Sequence, residues 1–246
     1  MRLAVLADVH ANLPALEAVL ADLPTVDALV CAGDVVGYGP HPAECVAALR
    51  EWEGDVLAVQ GNHDRAVAVG ADIGDGMAGA GIRHARAELD EDALAWLDAL
   101  PAVRTAFDGR LRVAHGHPED PDRYVYPSLF DESLLDDERV LVLGHTHVQA
   151  RRAFERSGWG GPERRLVLNP GSVGQPRDGV RASSASAGSS ERRSDGDPDA
   201  AYATLGLDGS PEATLHRVAY DVERTVRAVR EAGLPAAAGE RLRKGA

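Results

Sequence analysis

Residues 3–20 read LAVLADVHANLPALEAVL, an apolar run handed to an amphipathic one across a single acidic break. LAVLA (3–7) has the length of a strand and no polar alternation, which fits a strand covered on both faces. Asp8 ends it. A helix is expected next, with Asn12 as its N-cap and Pro14 near its first turn. Leu13, Leu16, Leu20 and Leu23 recur at three, four and three residues and share one face of it. A buried strand feeding a helix is the unit of an α/β fold.

Working outward, the unit repeats. DALVCA (27–32) is the second strand, followed by the glycine-rich loop GDVVGYGP (33–40) and a helix from about Pro42 to Trp52. DVLAVQ (55–60) is the third strand. Residues 76–100 read as helix in two pieces, with Leu94, Leu97 and Leu100 as a packing stripe. Strand-like runs then dominate: VRTAF, RLRVAH, RVLVLG, RRAFE, RRLVLN, YATLGL and ATLHRVAY, with one helix expected around 130–137. A last helix over 221–232 carries Val222, Val226 and Val229 and stops at Gly233. Beta-alpha units in front and strands behind predict two mixed sheets packed together with helices outside, a four-layer α/β/β/α sandwich. The expected organisation is one domain over 1–234. Within it 180–199 (VRASSASAGSSERRSDGDPD) reads as a disordered serine-rich insertion, and 235–246 as a flexible tail.

Composition narrows the classes of function. With 44% hydrophobic and 26% charged residues, the 246-residue chain has the balance of an ordinary globular protein able to bury a sizeable core. Asp8 interrupts the N-terminal apolar run too early for a signal sequence or a membrane span, so no membrane partner and a cytoplasmic location are expected. Cys31 and Cys45 form no C-x-x-C pattern and read as buried free thiols. The net charge is −13, which repels nucleic-acid phosphates and argues against an extended nucleic-acid surface. A homo-oligomer is compatible with everything above.

The polar residues fall in one place. LAVLADVH ends in Asp8 and His10, DALVCAGD in Asp34, and DVLAVQGNHD in Asn62, His63 and Asp64. RLRVAHGH ends in His115 and His117, and RVLVLGHTH in His145 and His147. Each cluster sits just past the C-terminal end of a strand-like run, where open α/β sheets place their binding crevices. In an extended segment His145 and His147, at i and i+2, share a face. Carboxylates, imidazoles and one amide form an N/O donor set without thiolate. Such a set suits manganese, zinc, iron or nickel and disfavours a sulfur-rich structural zinc site. The donors are too many for one divalent metal ion and about right for two sharing a carboxylate. Two ions clamp the attacking and leaving oxygens of a phosphoryl group and make a bridging hydroxide nucleophilic near neutral pH.

DVH, GD, GNHD, HG and GHTH occur in that order, and together they resemble the calcineurin-like metallophosphoesterases, in particular the small bacterial and archaeal YfcE-type phosphodiesterases. DVHANLPALEAVL, CAGDVVGYGP, NPGSVGQPRDG and RVAYDVE extend the likeness over nearly the whole chain. The resemblance implies two mixed sheets flanked by helices. It implies one metal on Asp8, His10, Asp34 and His147, and a second on Asp34, Asn62, His115 and His145, with Asp34 as bridge and manganese as the first expectation. His63 would stand off the metals as general acid or transition-state stabiliser. The implied activity is phosphodiester hydrolysis by in-line attack of a metal-bridging hydroxide on a small phosphoester or nucleotide substrate. Phosphoanhydride or phosphomonoester hydrolysis at the same centre is the near alternative. A non-catalytic protein-binding scaffold is the distant one, since a eukaryotic retromer subunit shares this fold.

Three places depart from the family pattern or leave a choice. GDVVGYG lacks the second Asp and the Arg that follow GD in the protein-phosphatase branch, which disfavours protein dephosphorylation. Ala11 stands where a glycine is common. In HGHP, His115 next to its strand is assigned to the metal and His117 to substrate contact. Arg65 and Arg177 are the candidates for neutralising phosphate oxygens, each weighed against an ordinary solvated arginine.

Overall fold

Alternate residues of the first strand point into two different cores. Leu3 and Val5 pack between the sheets, whereas Ala4 and Leu6 pack beneath helices. The same division applies to its neighbours, which is why these runs carry no polar alternation. The computed structural model describes residues 1–158, 161–177 and 196–245.

The first half runs β1 (Arg2–Leu6), α1 (Leu13–Asp22), β2 (Ala28–Cys31), α2 (Pro42–Arg50), β3 (Asp55–Ala58), α3 (Asn62–Val69), α4 (Met77–Glu88) and α5 (Glu91–Ala99). The second half runs β4 (Val103–Ala106), β5 (Leu111–Ala114), β6 (Val140–Val142), β7 (Ala150–Gly158), β8 (Gly161–Asn169), β9 (Ala200–Gly206), β10 (Glu212–Val218), α6 (Val222–Glu231) and α7 (Ala236–Leu242). Two five-stranded mixed sheets result, ordered β10-β9-β1-β2-β3 and β4-β5-β6-β8-β7. In the first, β1, β2 and β3 are parallel; in the second, β5, β6 and β8 are. This is the expected α/β sandwich. Val30 and Leu57 of the first sheet meet Val113, Val142 and Leu168 of the second in the middle layer.

The helical layer on the first sheet buries Leu16 and Val19 of α1, Val46 and Leu49 of α2, Val67 of α3 and Leu97 of α5. Asn12 caps α1 as expected, its side chain accepting from the Ala15 amide at 3.4 Å. Over the outer face of the second sheet the cover is thinner. Val125, Phe130 and Leu135 close on Ala114, Leu141, Leu143 and Val167. Instead of the helix expected around 130–137, this segment holds 3-10 turns at Pro127–Leu129 and Glu132–Leu134. Phe130, Leu134 and Leu135 are too few and too closely spaced to make a helical stripe over several turns.

The C-terminus corrects a second expectation. Residues 236–242, read as part of a flexible tail, form α7. Ala238 and Leu242 are buried, and Ala238 joins Val229 and Leu234 in a small core. Gly239 lets α7 approach α6 closely, a Cβ there meeting Val226 at 3.3 Å. Arg243 pairs with Glu223 at 2.6 Å across the two helices. An alanine-rich segment gives no apolar period to read, so the sequence carries no sign of this helix. Of the segment 180–199, residues 180–195 lie outside the described residues, and 196–199 lead into β9, with the Gly196 amide donating to the Lys244 carbonyl.

Leu168 is fully buried in the middle layer and Leu129 is 57% exposed. Leu168→Ala should therefore cost about 2–5 kcal/mol in a urea titration, and Leu129→Ala no more than about 0.5 kcal/mol.

Candidate metal centre

The parallel strands of both sheets end at one edge of the sandwich, and the chain leaves them through left-handed turns. Asp8, His10, Asp34, His145 and His147 all have positive φ, between 48° and 66°. Residues with a Cβ seldom adopt this conformation. Here each sharp turn re-aims a polar side chain across the sandwich edge rather than along the strand.

Two buried carboxylates are divided in the same way. Asp8 Oδ2 accepts from the His145 amide at 3.0 Å, and its Oδ1 is buried without a hydrogen-bond partner among the described residues. Asp34 Oδ1 accepts from the His63 amide at 2.8 Å, and its Oδ2 faces His115 Nε2 at 3.3 Å and His10 Nε2 at 3.7 Å. One oxygen of each is tied to main chain and the other is turned inward. Gly61 makes this possible for Asp34, because a Cβ there would lie 2.1 Å from Asp34 Oδ1.

The imidazoles are held by main-chain carbonyls. His10 Nδ1 lies 3.2 Å from the Val36 carbonyl, His147 Nδ1 2.6 Å from that of Gln175, and His115 Nδ1 2.7 Å from that of Ala32. A carbonyl only accepts, so each of these nitrogens carries a proton and each Nε2 is the ring atom left to face inward, as a lone pair in neutral His10 and His147. His145 is held the other way round, with Nε2 3.1 Å from the Asp122 carbonyl, which leaves Nδ1 as its lone pair. The inward atoms then crowd together. His10 Nε2 and His147 Nε2 are 3.1 Å apart, with Asp8 Oδ1 3.3 Å from the latter. His115 Nε2 lies 3.1 Å from Asn62 Oδ1. Acceptors facing acceptors in a buried site are stable only around protons or cations. Three groups fall within the compass of one ion: Asp8, His10 and His147; His10, Asp34 and His63; and Asp34, His115 and His145. The donor chemistry fits divalent metal ions, and His10 and Asp34 link the three groups in turn.

Burial sets the charges. It pushes His10 and His147 well below the usual imidazole range, and His145 down to about 4, so all three are neutral at pH 7. Burial, and then the charge of Asp34, raise Asp8 to about 8. For His115 burial works downward, but the charge and hydrogen bond of Asp34, with Asp8 and the Ala32 carbonyl, together outweigh it and lift the ring to about 10. In the metal-free protein His115 and Asp8 therefore hold protons that a metal must displace.

His63 differs from the rest. It is 5% exposed, sits at the start of α3, and its Nδ1 is buried against Gly37 with no hydrogen-bond partner among the described residues. No carbonyl fixes its tautomer. Its ring stands edge-on to His10 at 5.0 Å and beside Tyr38 at 4.6 Å. Asp64, next in sequence, is structural, its two oxygens accepting from the Val36 and Gly61 amides and joining the second and third strand-end loops.

The substrate-contact candidates separate. Arg177 lies beside the Asp8 half: its charge depresses His10, His63 and His147, and its buried Nε has no partner among the described residues. Arg65 is paired with Asp122 at 2.7 Å, on a cleft that opens onto Asn62 and His145. His117 is not brought to the cluster. Its ring accepts from the Glu119 amide at 3.2 Å and its backbone bridges to Asp120, so it belongs to its own turn. The chain bends at His115 and Gly116 and reverses at 118–119, Gly116 packing against the carbonyls of Pro121 and Arg123, so the alternation that would have aligned His117 with His115 is broken.

Several supports had no legible signal. Gln175 supplies the carbonyl under His147, and Ser172 Oγ donates to the Asp8 carbonyl at 2.7 Å while accepting from the Gln175 amide. Asn169 donates to the Gly144 carbonyl and to Thr146 Oγ1, bracing the GHTH turn. Tyr124 stacks on His145 with ring centroids 3.7 Å apart. NPGSVG (169–174), readable from sequence either as a backbone lining of the site or as an ordinary glycine-serine turn, is the wall behind Asp8, and Gln175 continues it behind His147.

The sequence profile of the calcineurin-like phosphoesterase superfamily domain matches residues 1–191. An uncharacterized protein of Methanocaldococcus jannaschii is 31% identical over 197 residues, 74% of this chain and 80% of that one. A metallophosphoesterase from Sphaerobacter thermophilus superposes with a TM-score of 0.78 at 33% identity, covering 100% of each chain. A hypothetical protein from Pyrococcus horikoshii OT3 shares the fold, with a TM-score of 0.75 at 19% identity, covering 100% of this chain and 98% of that one. The chain belongs to the calcineurin-like phosphoesterase superfamily.

Because Asp8 and His115 are protonated when metal-free, metal loading should release protons and tighten as pH rises from 6 to 8. Calorimetric titration of Mn²⁺ in buffers of different ionisation enthalpy measures the release directly. Proton-neutral binding with a flat pH profile would contradict the charge states above.

Proposed function

We propose that the protein is a phosphodiesterase working with two divalent ions, manganese first among them. The observation that carries this reading is the pair of adjacent buried donor clusters, Asp8 with His10 and His147 and Asp34 with His115 and His145. One ion would be held by Asp8, His10, Asp34 and His147, the other by Asp34, Asn62, His115 and His145, with Asp34 as the shared residue. When bound, the ions supply positive charge against the phosphoryl oxygens and activate the attacking water.

The chain's own residues complete the chemistry. Arg177, whose buried Nε has no partner among the described residues and whose charge acts on Asp8, would neutralise a phosphoryl oxygen on the Asp8 side. His63 is the proton carrier, because its Nδ1 is not committed to a carbonyl as those of His10, His115 and His147 are. Burial keeps it neutral at rest, and the negative charge of a phosphodiester beside it favours the protonated form that hydrogen-bonds or protonates the leaving oxygen. The carbonyl-fixed rings cannot turn and so hold metal instead.

After EDTA treatment and reconstitution with Mn²⁺, the protein should hydrolyse bis(4-nitrophenyl) phosphate, and the stripped protein should not. His63→Ala should keep its metal content by elemental analysis and lose about 10²–10⁴-fold in kcat. Asp34→Ala should lose metal itself. A metal-replete wild type inert on diester, monoester and anhydride substrates alike would count for a binding scaffold instead.

A further inference from the structure

Tyr38, in the loop between β2 and α2, stands in a strained turn. Its φ is 56°, in the left-handed region that a bulky side chain rarely enters. Three glycines make the turn possible by letting other groups come close. A Cβ at Gly37 would lie 2.3 Å from His63 Nδ1, and one at Gly39 would lie 2.2 Å from the His10 carbonyl oxygen. On α4, a Cβ at Gly81 would lie 2.1 Å from the Tyr38 amide nitrogen. Tyr38 is thereby clamped between α4 and the turns that carry His10 and His63. The clamp sets its ring centroid 4.8 Å from that of His10 and 4.6 Å from that of His63, and those two are 5.0 Å apart. The three rings make a nearly regular triangle.

The hydroxyl is left free. Tyr202 donates its own to Asp22 at 2.8 Å, and that of Tyr220 accepts from Asn12 at 3.1 Å. Half-buried Tyr38 makes no hydrogen bond among the described residues. Its hydroxyl is near enough to act electrostatically on that of Tyr124, whose ring covers His145 on the other half of the centre. A ring seated on His10 and His63, with its oxygen toward the opposite half, carries that oxygen over the inward-facing donors.

We propose that Tyr38 is a catalytic residue whose hydroxyl donates a hydrogen bond to a non-bridging phosphoryl oxygen of the substrate. The inference rests on the phosphodiesterase reading of the centre and adds a residue to it. Strain of this kind persists only where the surroundings over-determine it, and it gathers at functional sites. Packing against two imidazoles needs the ring alone, so the hydroxyl is a donor beyond what packing uses. In-line attack carries the non-bridging oxygens into the plane of a five-coordinate phosphorus. A donor fixed by the clamp can be aimed at that position rather than at the ground state's. Tyr38 transfers no proton: His63 serves the leaving oxygen, and Arg177 and Tyr38 take one non-bridging oxygen each.

Tyr38→Phe keeps the ring and removes the donor. In the Mn²⁺-loaded protein with bis(4-nitrophenyl) phosphate, it should lower kcat by about 10–100-fold and change KM by less than about threefold. Its metal content by elemental analysis should equal that of the wild type. Calorimetric titration adds a readout independent of turnover, with orthovanadate, which adopts the five-coordinate geometry, set against inorganic phosphate, which does not. Tyr38→Phe should weaken vanadate binding by about the factor lost in kcat and phosphate binding by less than about threefold. Wild-type turnover and vanadate affinity in Tyr38→Phe would overturn the inference and leave the reading of the centre standing, as would equal weakening of vanadate and phosphate. Loss of metal from Tyr38→Phe would also overturn it, making the tyrosine a support of the His10 turn. If the metal-loaded wild type turns over no phosphoester, the reading of the centre and the inference fall together.

Discussion

The rest of this site depends on where the imidazole protons go. Val36, Ala32 and Gln175 each turn a backbone carbonyl onto a histidine Nδ1, and Asp122 does the same to His145 Nε2. A proton committed outward leaves the other ring nitrogen directed inward, and four such nitrogens meet two inward carboxylate oxygens. The main chain thus decides the ligand character of the site, and the side chains only deliver it. A carbonyl cannot change from acceptor to donor as a side-chain amide or hydroxyl can, so the arrangement has one tautomeric solution. Among the described residues His63 escapes that constraint, its Nδ1 bonded to no carbonyl.

The glycines and the left-handed residues are the cost of this arrangement in backbone freedom. Gly33, Gly37 and Gly61 are pressed so closely against His115, His63 and Asp34 that a Cβ at any of them would overlap a ring nitrogen or a carboxylate oxygen. Asp8, His10, Ala11, Asp34, Tyr38, His145 and His147 adopt positive φ although each carries a Cβ. Each such residue costs on the order of 1 kcal/mol and persists only where the surroundings over-determine it. At Ala11, where glycine is common in the family pattern, the chain accepts that conformation with a methyl group in place. The buried strands on either side anchor these turns.

Much of the fold was legible because strands buried on two faces leave unbroken apolar runs, as in β1, β2 and β6, and every described strand overlaps a run that reads as strand-like. Helix α1 was legible from Asn12 and its leucine spacing. Helix α3 was not, because NHDRAVAV is short, carries its polar residues at the front for the site and presents little apolar face. Helix α7 was hidden by small residues, and the 3-10 turns by an acidic segment. In the site, the residues were legible because their types and their places after strands agree. Their supports were not: a Gln175 carbonyl or a Ser172 hydroxyl has no sequence pattern. His117 was misplaced for a related reason, since alternation past a strand end holds only until the chain bends.

Both ligand groups cross the boundary between the two sheets. Asp8 and His10 follow β1 of one sheet while His147 follows β6 of the other, and Asp34 follows β2 while His115 and His145 follow β5 and β6. The apolar layer that joins the sheets gives out at this edge, where its place is taken by acceptors that repel one another. A cation held there is consequently a rivet through the seam of the sandwich as well as a reagent. Losing it would let this edge of the two sheets part first, so that the same atoms set how long the enzyme lasts and what it can do.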